Sequence, residues 1–270
     1  MSTYPASVPA AELGPDSVPV ALEVRGAIAE VRLNRPAKRN ALNDASIEAL
    51  HRCFSTLPDG VRVVVLSGVG EHFSAGLDLS ELSERSVAEG IAHSRGWHAA
   101  FDQVQFGRVP VISVLHGAVV GGGLELASST HIRVAEPSAF YGLPEGQRGL
   151  FVGGGGSARI PRLIGVARMA DMMLTGRVVR ADEGQQIGLS QYLVGAGEGH
   201  AKALALAERV AMNAPLSNFA VMHALPRIAE QGQAAGLFTE ALMAAIAQGD
   251  PAAKDRMQAF LDGRAGKVGA

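Results

Sequence analysis

Two glutamates and a cluster of glycines form the part of this sequence best suited to chemistry. Gly121 to Gly123 are followed at once by Leu124 to Ala127, residues that favour a helix. A glycine turn that opens a helix presents free backbone N–H groups and the positive end of the helix dipole, and both stabilise negative charge on an oxygen. Glu125 lies in that helix, and Glu145 follows Pro144 further on. Two carboxylates near such a turn can handle a proton and a water, so the sequence predicts a catalytic site.

Each of these features also has a purely structural interpretation. Glu125 in the first turn of a helix interacts favourably with the dipole without any catalytic role, and Glu145 can be an ordinary loop acid. The glycines at 153–156 are more often a turn or a close-packing device than a phosphate cradle, although a helix that begins near Ser157 can face a ligand. A dinucleotide site is not favoured, because the first strand–helix unit has no glycine fingerprint at its turn.

Strands that alternate with helices must position these residues. Apolar or β-prone runs bounded by turn residues predict five strands, at Val20–Val24, Ala27–Leu33, Val61–Gly68, Val109–Leu115 and Ile132–Ala135. Between them, helices are predicted from an Asn43 or Asp44 cap to about Leu57, within Ser80–Phe106, and over Leu124–Ser129. This order predicts an α/β fold with right-handed crossovers.

The last third of the chain has a mostly helical pattern. Predicted helices are Ala167–Leu174, Ala181–Gly188, His200–Asn213, Leu216–Ala229, Gly236–Gln248 and Pro251–Asp262, with a short strand-like run at Tyr192–Val194. No linker rich in proline, glycine or serine separates a second domain. We therefore predict a flexible N-terminal tail over residues 1–19, a core with the active site over 20–198, and a helical region over 199–270.

Composition narrows the classes of function. The 270 residues include 24 basic and 26 acidic side chains, a formal charge of −2, which argues against a general nucleic-acid binder. Cys53 is the single cysteine, so an intramolecular disulfide is excluded and a reduced, cytoplasmic setting is expected. No secretory signal or membrane span is predicted. No metal site is predicted either, because five histidines lack metal-ligand spacing and an obvious carboxylate partner: His72, His93, His98, His116 and His131.

Four stretches, in the same order along the chain, resemble the crotonase superfamily, the enoyl-CoA hydratase/isomerase family of acyl-CoA enzymes. They are Asn34–Leu42, Phe73–Leu79, His116–Ala127 and Phe140–Gly165, and Met172–Arg177 extends the match. Any one glycine cluster alone is a weak signal, whereas the ordered set is specific. The resemblance implies a spiral of ββα units whose C-terminal helices drive assembly into a homotrimer or a dimer of trimers.

The resemblance also implies a mechanism. The backbone amides of Leu77 and Gly122 match the pair that holds the thioester oxygen of an acyl-CoA, and Glu125 and Glu145 match the two glutamates with which hydratases of the family hold one water. One carboxylate takes a proton from the attacking water and the other delivers a proton to the α-carbon. The presence of both favours syn hydration of a 2-enoyl-CoA. Coenzyme A enters as part of the substrate, and no cofactor is implied.

Further site residues are implied by the same resemblance. The residues predicted to contact coenzyme A are Lys38, Arg39, Ala41, Ala75, Asp78 and Leu79. For Lys38 and Arg39 the alternative is a role as solvated loop charges. The residues predicted to line the acyl pocket are Trp97, Phe101 and Val152, with a place in the core as the alternative for the two aromatic residues.

The sequence departs from the family pattern at two places. Within Gly146–Gly153, short-chain hydratases commonly carry an aliphatic pair and a proline in place of Val152, and Gln147 and Arg148 near the acid argue against short straight-chain substrates. Gly263 stands where relatives often carry a lysine that binds coenzyme A, a role open to Arg264 or Lys267. Other family reactions therefore stay open, namely double-bond isomerisation, hydrolysis or C–C cleavage with Glu145 as principal base. A catalytically silent acyl-CoA-binding protein is the alternative from a different class.

Overall fold

The computed structural model describes residues 18–81, 84–262 and 264. Most of the predicted tail, residues 1–19, and Lys267 lie outside the described residues. Two short strands, Val20–Arg25 and Ile28–Leu33, open the described part of the chain and pair antiparallel, with Val20 opposite Leu33. Gly26 turns the chain at a φ of 61°, in the left-handed region that glycine enters without steric cost. The strands predicted at Val20–Val24 and Ala27–Leu33 are confirmed, and they form a hairpin.

The strands form two sheets. In chain order they are β1 (Val20–Arg25), β2 (Ile28–Leu33), β3 (Val63–Gly68), β4 (Val111–Leu115), β5 (Ala118–Val120), β6 (Ile132–Ala135), β7 (Phe140–Gly142), β8 (Val179–Arg180) and β9 (Tyr192–Leu193). The larger sheet has the order β1-β2-β3-β4-β6-β9, and every pair after the first hairpin is parallel. The smaller sheet has the order β5-β7-β8.

Helices connect the strands and make up most of the C-terminal region. They are α1 (Asp44–Ser55), α2 (Val87–Gln105), α3 (Gly122–Ser128), α4 (Gly156–Ile164), α5 (Val166–Thr175), α6 (Ala181–Ile187), α7 (Gly199–Ala211), α8 (Pro215–Phe219), α9 (Leu225–Glu230), α10 (Gln233–Gly249) and α11 (Pro251–Leu261). Asn43 caps α1, because its side chain accepts a hydrogen bond from the amide of Ser46 at 2.9 Å. The α/β class predicted from the sequence is confirmed.

The central strands of the larger sheet are buried on both faces. Side chains alternate along a strand, so Val63 and Val65 pack beneath α7, while Val64 and Leu66 join the main core on the other face. Parallel strands covered on both faces have continuous apolar sequences, which is why β3 and β4 were recognisable. The larger sheet therefore lies at the centre of the core.

The smaller sheet was not predicted from the sequence. Its strands have three, three and two residues, too few for a period of two to be detected. The glycines at 121–123 therefore do not follow the apolar strand β4 directly. They follow β5, at the edge of the second sheet.

The predicted helix Leu216–Ala229 is divided in three. A π-helical segment, Ala220–Ala224, separates α8 from α9. Pro226 has no backbone N–H and cannot donate to the carbonyl four residues earlier, which disfavours a regular α-helix just before it. The helical prediction for Leu216–Ala229 is confirmed, with a π-helical turn that the sequence pattern did not indicate.

The C-terminal helices present apolar side chains on their outside. On α10 the large exposed residues are Leu237, Phe238, Leu242 and Ile246, and on α11 they are Met257, Phe260 and Leu261. An exposed apolar surface of this kind is characteristic of an interaction face. No helix within the described ranges combines the length and apolarity needed to cross a bilayer.

Candidate active site

The loop at 73–79 lies between two pieces of extended chain that fix its backbone. Leu42 donates to the carbonyl of Gly76 at 2.7 Å and accepts from the amide of Asp78 at 2.9 Å, which forms a parallel bridge with Leu77. On the other side, Ser74 pairs with Val119 of β5. In a parallel bridge, the residue between the two bonded positions directs its own N–H away from the partner chain. The amide of Leu77 therefore faces away from Leu42.

The amides of Leu77 and Gly122 are neighbours. A Cβ added to Gly122 would lie 3.5 Å from the Leu77 nitrogen, and one added to Gly76 would lie 3.0 Å from the Gly122 nitrogen. Gly122 is the first residue of α3, where backbone N–H groups have no acceptor within the helix. Across residues 18–81, 84–262 and 264, neither amide donates a hydrogen bond. Two free donors thus lie side by side, one of them at a helix N-terminus.

Glu125 is buried in the first turn of α3, and a glycine loop holds its carboxylate. Its Oε1 accepts hydrogen bonds from the amides of Gly154 and Gly156, both at 2.8 Å. Glycine is needed here because a Cβ on Gly156 would lie 2.7 Å from Cγ of Glu125. The glycines at 153–156 therefore cradle a protein carboxylate, and the helix that follows them, α4, directs its N-terminus at Glu125.

Arg159, in the first turns of α4, fixes the glycine loop in place. Its Nη1 donates to the carbonyl of Gly154 at 2.9 Å, and its Nε donates to Oε1 of Gln105 at 2.6 Å. Nη2 forms an ion pair with Asp102 at 2.7 Å. Gln105 and Asp102 belong to α2, so the guanidinium ties the loop that holds Glu125 to the helix behind it.

Glu145 lies against the glycine turn that opens α3. A Cβ on Gly121 would lie 2.7 Å from Oε1 of Glu145. Oε2 of Glu145 is buried and has no hydrogen-bond partner among the described residues. Both glutamates line one cavity of about 380 Å³, together with Leu77 and Gly122. The residues predicted as catalytic are thus brought together around a single space.

Both carboxylates have perturbed proton affinities. Burial raises the pKa of Glu125 to about 6, although the amides of Gly156 and Gly154 favour its charged form, and the nearby Glu145 adds to the rise. Burial also raises the pKa of Glu145, an effect that the Arg148 guanidinium partly offsets. Carboxylates with pKa values moved toward neutrality are suited to exchange protons with a substrate.

Comparison with known proteins identifies the family of this chain. Residues 23–267 match the family described as Enoyl-CoA hydratase/isomerase. The chain belongs to that family. A crystal structure from Rhodopseudomonas palustris is similar at 60% identity and a TM-score of 0.89, covering 91% of this chain and 95% of that one.

Two further similar proteins are named as enoyl-CoA hydratases. The short-chain-enoyl-CoA hydratase of Clostridium acetobutylicum is 34% identical over 73% of this chain and 77% of its own length. The structure of an enoyl-CoA hydratase from Bacillus anthracis has 29% identity and a TM-score of 0.85, covering 91% of this chain and 97% of that chain. The fold is accordingly the crotonase fold, as the sequence motifs predicted.

The residues implied by the family resemblance fall into two groups. Those that line the cavity beside the two acids and the two amides are Ala75, Leu79, Trp97 and Val152. Those that do not line it are Lys38, Arg39, Ala41 and Asp78. The first two are exposed on the loop before α1, and the carboxylate of Asp78 bonds to Arg35 at 2.8 Å and to Ser80 at 2.6 Å. Contact of this group with coenzyme A stays a prediction.

Two predictions need correction. Phe101 does not line the cavity, because it is fully buried behind Trp97, with the ring centroids 5.6 Å apart. His93 does have a carboxylate partner, since its Nε2 lies 3.1 Å from Oδ1 of Asp44. At the C-terminus, Arg264 forms an ion pair with Asp262 at 2.7 Å.

The sequence predicted Trp97 at the cavity but not the other residues that share its face of α2. Gly90, His93, Ser94 and Trp97 line the cavity together, at the spacing of one helical face. Because half of this face is polar, it has no apolar periodicity that would reveal it in the sequence. Arg85, just before the helix, also lines the cavity.

Replacing Glu125 with glutamine is expected to stabilise the folded protein above about pH 6. The folded-state pKa of about 6 exceeds the ordinary value of 4.5. The free energy of unfolding of the wild type therefore falls as the pH rises from the ordinary pKa to the folded-state pKa, and it stays lower above that range. A shift of this size corresponds to about 2 kcal/mol. Glutamine avoids the charge, and its Oε1 can still accept the two amides.

Urea unfolding at pH 4.5 and pH 8 measures this effect. The variant should gain up to about 2 kcal/mol over the wild type at pH 8 and much less at pH 4.5. Glu208→Gln, an exposed position on α7, is the matched control. Equal pH dependence for Glu125→Gln and the wild type would contradict the prediction.

Proposed function

We propose that this protein is an enoyl-CoA hydratase that adds water in syn fashion to a 2-enoyl-CoA. The observation that carries the proposal is one cavity lined by two carboxylates, Glu125 and Glu145, and by the free amide pair of Leu77 and Gly122. An oxyanion site with two acids meets the needs of hydration, in which one group activates water and another protonates carbon.

The amide pair acts on the thioester oxygen. Attack of water on the β-carbon moves electrons through the double bond onto that oxygen, and the two N–H groups stabilise the resulting enolate. Losing one such donor typically costs about 3–4 kcal/mol of transition-state stabilisation. The dipole of α3 adds to the effect at Gly122.

The environments of the two acids support an assignment of their roles. Glu125 receives two backbone N–H groups, which favour its ionised form, so we assign it as the base that takes a proton from water. Oε2 of Glu145 is buried without a donor, which favours the protonated form, so we assign it as the acid. The water oxygen bonds to the β-carbon, its proton goes to Glu125, and the Glu145 proton goes to the α-carbon. Both additions come from one side of the double bond.

The proposal assigns no metal or redox cofactor, because the amides and the two acids supply each step. Coenzyme A is the carrier portion of the substrate. The exposed apolar face of α10 and α11 supports assembly as a homotrimer or a dimer of trimers. A cytoplasmic location stays a prediction.

A panel of acyl-CoA thioesters tests the proposed function. The enzyme is expected to remove the conjugated absorbance of crotonyl-CoA or of longer or aromatic 2-enoyl-CoAs, with 3-hydroxyacyl-CoA as the product by mass. Formation of that absorbance from a 3-enoyl-CoA without hydration would instead indicate an isomerase, and release of free thiol would indicate a hydrolase. Binding of the thioesters without turnover of any would indicate a silent binding protein.

A further inference from the structure

Two arginines line the catalytic cavity and interact with carboxylates only over a longer distance, Arg148 with Glu145 and Arg85 with Glu89. Arg85 is half-buried and Arg148 is exposed, and both contribute to the cavity wall. In the part of the chain that the structure describes, neither guanidinium makes a hydrogen bond or an ion pair. Glu89 on α2 uses its carboxylate to cap the helix through Ser86, at 2.8 and 2.7 Å, and forms no ion pair with Arg85. Two cations that face one cavity repel each other and favour an anion between them.

The direction of α2 places Arg85 at the end of the cavity remote from the amide pair. Ring atoms of Trp97 would lie 2.6 and 3.0 Å from a Cβ on Gly122, so this residue marks the thioester end. The cavity-lining residues Ser94 and Gly90 then follow toward the start of the helix at Val87, which is about 15 Å from Trp97 at 1.5 Å per residue. Arg85 precedes that start.

The chemistry of the thioester places both arginines on its acyl side. The β-carbon must meet Glu125 and Glu145, so the acyl chain runs from the amide pair past these acids. Arg148 ends the short 3-10 helix that begins directly after Glu145, and its guanidinium acts on the carboxylate of that acid, so it belongs to the part of the cavity wall that carries Glu145. The sulfur and the rest of coenzyme A leave the carbonyl carbon on its other side.

Apolar side chains also line the cavity. Those that follow Arg148 along the chain are Leu150, Phe151 and Val152. The cavity thus combines hydrogen-bond donors, apolar side chains and two guanidinium groups, and Arg85 lies remote from the amide pair. A guanidinium with its planar pair of donors matches both carboxylate and phosphate, and of these a carboxylate is the group that an acyl chain can carry at its far end.

We propose that the acyl group accepted here carries a carboxylate at its far end, so that the substrate is an ω-carboxy-2-enoyl-CoA bound through Arg85 and Arg148. This inference rests on the proposed hydratase function and names its substrate class. The apolar wall accommodates the methylene groups of the chain, and the arginines select for the charged terminus.

Matched pairs of thioesters test the inference. 2-Hexenedioyl-CoA and 2-hexenoyl-CoA have six acyl carbons each, and they differ only in the terminal carboxylate. The corresponding eight-carbon pair tests a longer distance between the thioester and the carboxylate. In the better pair, kcat/KM for the thioester with the terminal carboxylate is expected to be more than about ten times that for the neutral thioester. Arg85→Gln and Arg148→Gln should each lower this ratio about tenfold. Arg95→Gln, on α2 but outside this cavity, is the control and should keep the wild-type ratio.

The outcomes separate this inference from the proposed function. Turnover of the neutral esters with a ratio of one or less overturns the carboxylate assignment and leaves the hydratase intact. Equal losses for both members of a pair in the arginine variants overturn it as well, because contacts with coenzyme A phosphates would have that effect. If no thioester is turned over, the hydratase proposal fails. In that case, calorimetry measures the dissociation constants of the saturated pair, hexanedioyl-CoA and hexanoyl-CoA. Equal dissociation constants overturn the carboxylate assignment.

Discussion

Glu145→Gln is expected to lower kcat by about 10²–10⁴-fold, the usual contribution of a general acid–base group. The reason is the environment of its carboxyl. Oε2 is buried without a hydrogen-bond partner among the described residues, and Oε1 lies against Gly121 at the opening of α3. Glutamine fills the same space but has no acidic proton to deliver to the α-carbon. Steady-state turnover of the best 2-enoyl-CoA, together with its dissociation constant, measures the effect.

The dissociation constant distinguishes a chemical defect from a binding defect. It should change far less than kcat, because glutamine preserves the shape of the cavity. Glu208→Gln, the exposed change on α7, should behave like the wild type. Wild-type turnover by a folded Glu145→Gln variant would remove this residue from the mechanism.

Gly76→Ala is expected to lower kcat by about 10²–10³-fold by separating the two amides. Gly76 has a φ of 88°, and a Cβ there would lie 2.5 Å from the carbonyl oxygen of Val120 and 3.0 Å from the nitrogen of Gly122. Both neighbours are backbone atoms and cannot swing aside, so the loop that carries Leu77 must move away from α3. The oxyanion then loses one of its two donors.

A second glycine provides the control for backbone strain. Gly26 also has a positive φ, 61°, but a Cβ there would meet nothing within 4 Å. Gly26→Ala should therefore share the destabilisation that comes from the left-handed conformation, without a loss of turnover. Thermal unfolding of both variants identifies the fraction folded. If the folded fraction of Gly76→Ala turns over at the wild-type rate, Leu77 and Gly122 do not form the oxyanion site.

The elements that sequence patterns could predict are those with local signals. The Gly26 hairpin, the Asn43 cap and the two-sided apolar strands β3 and β4 each depend on neighbouring residues, and the structure confirms them. The site residues Glu125 and Glu145 were selected by motif, and the structure brings them to one cavity. Their chemical roles stay predictions.

What the sequence could not reveal depends on contacts between distant segments. The parallel bridge of Leu42 with Leu77 joins residues that no local pattern relates. The cradle at Gly154 and Gly156 was considered as a turn or a ligand-binding loop, whereas its amides are bonded to Glu125. Phe101 and Trp97 are one helical turn apart, and only packing decides that the second lines the cavity while the first supports it.

The way in which the catalytic groups are anchored has a consequence for partial folding. Leu77 depends on Leu42 and on β5 for its direction, while Glu125 depends on a loop that Arg159 ties to α2. A proteolytic fragment that ends before Gly154 retains Glu125 and both oxyanion amides but lacks the two donors that favour the ionised carboxylate. During refolding, turnover should accordingly recover later than the helical signal. Helices form from residues that are close in the chain, whereas turnover requires all of these distant segments to be in place.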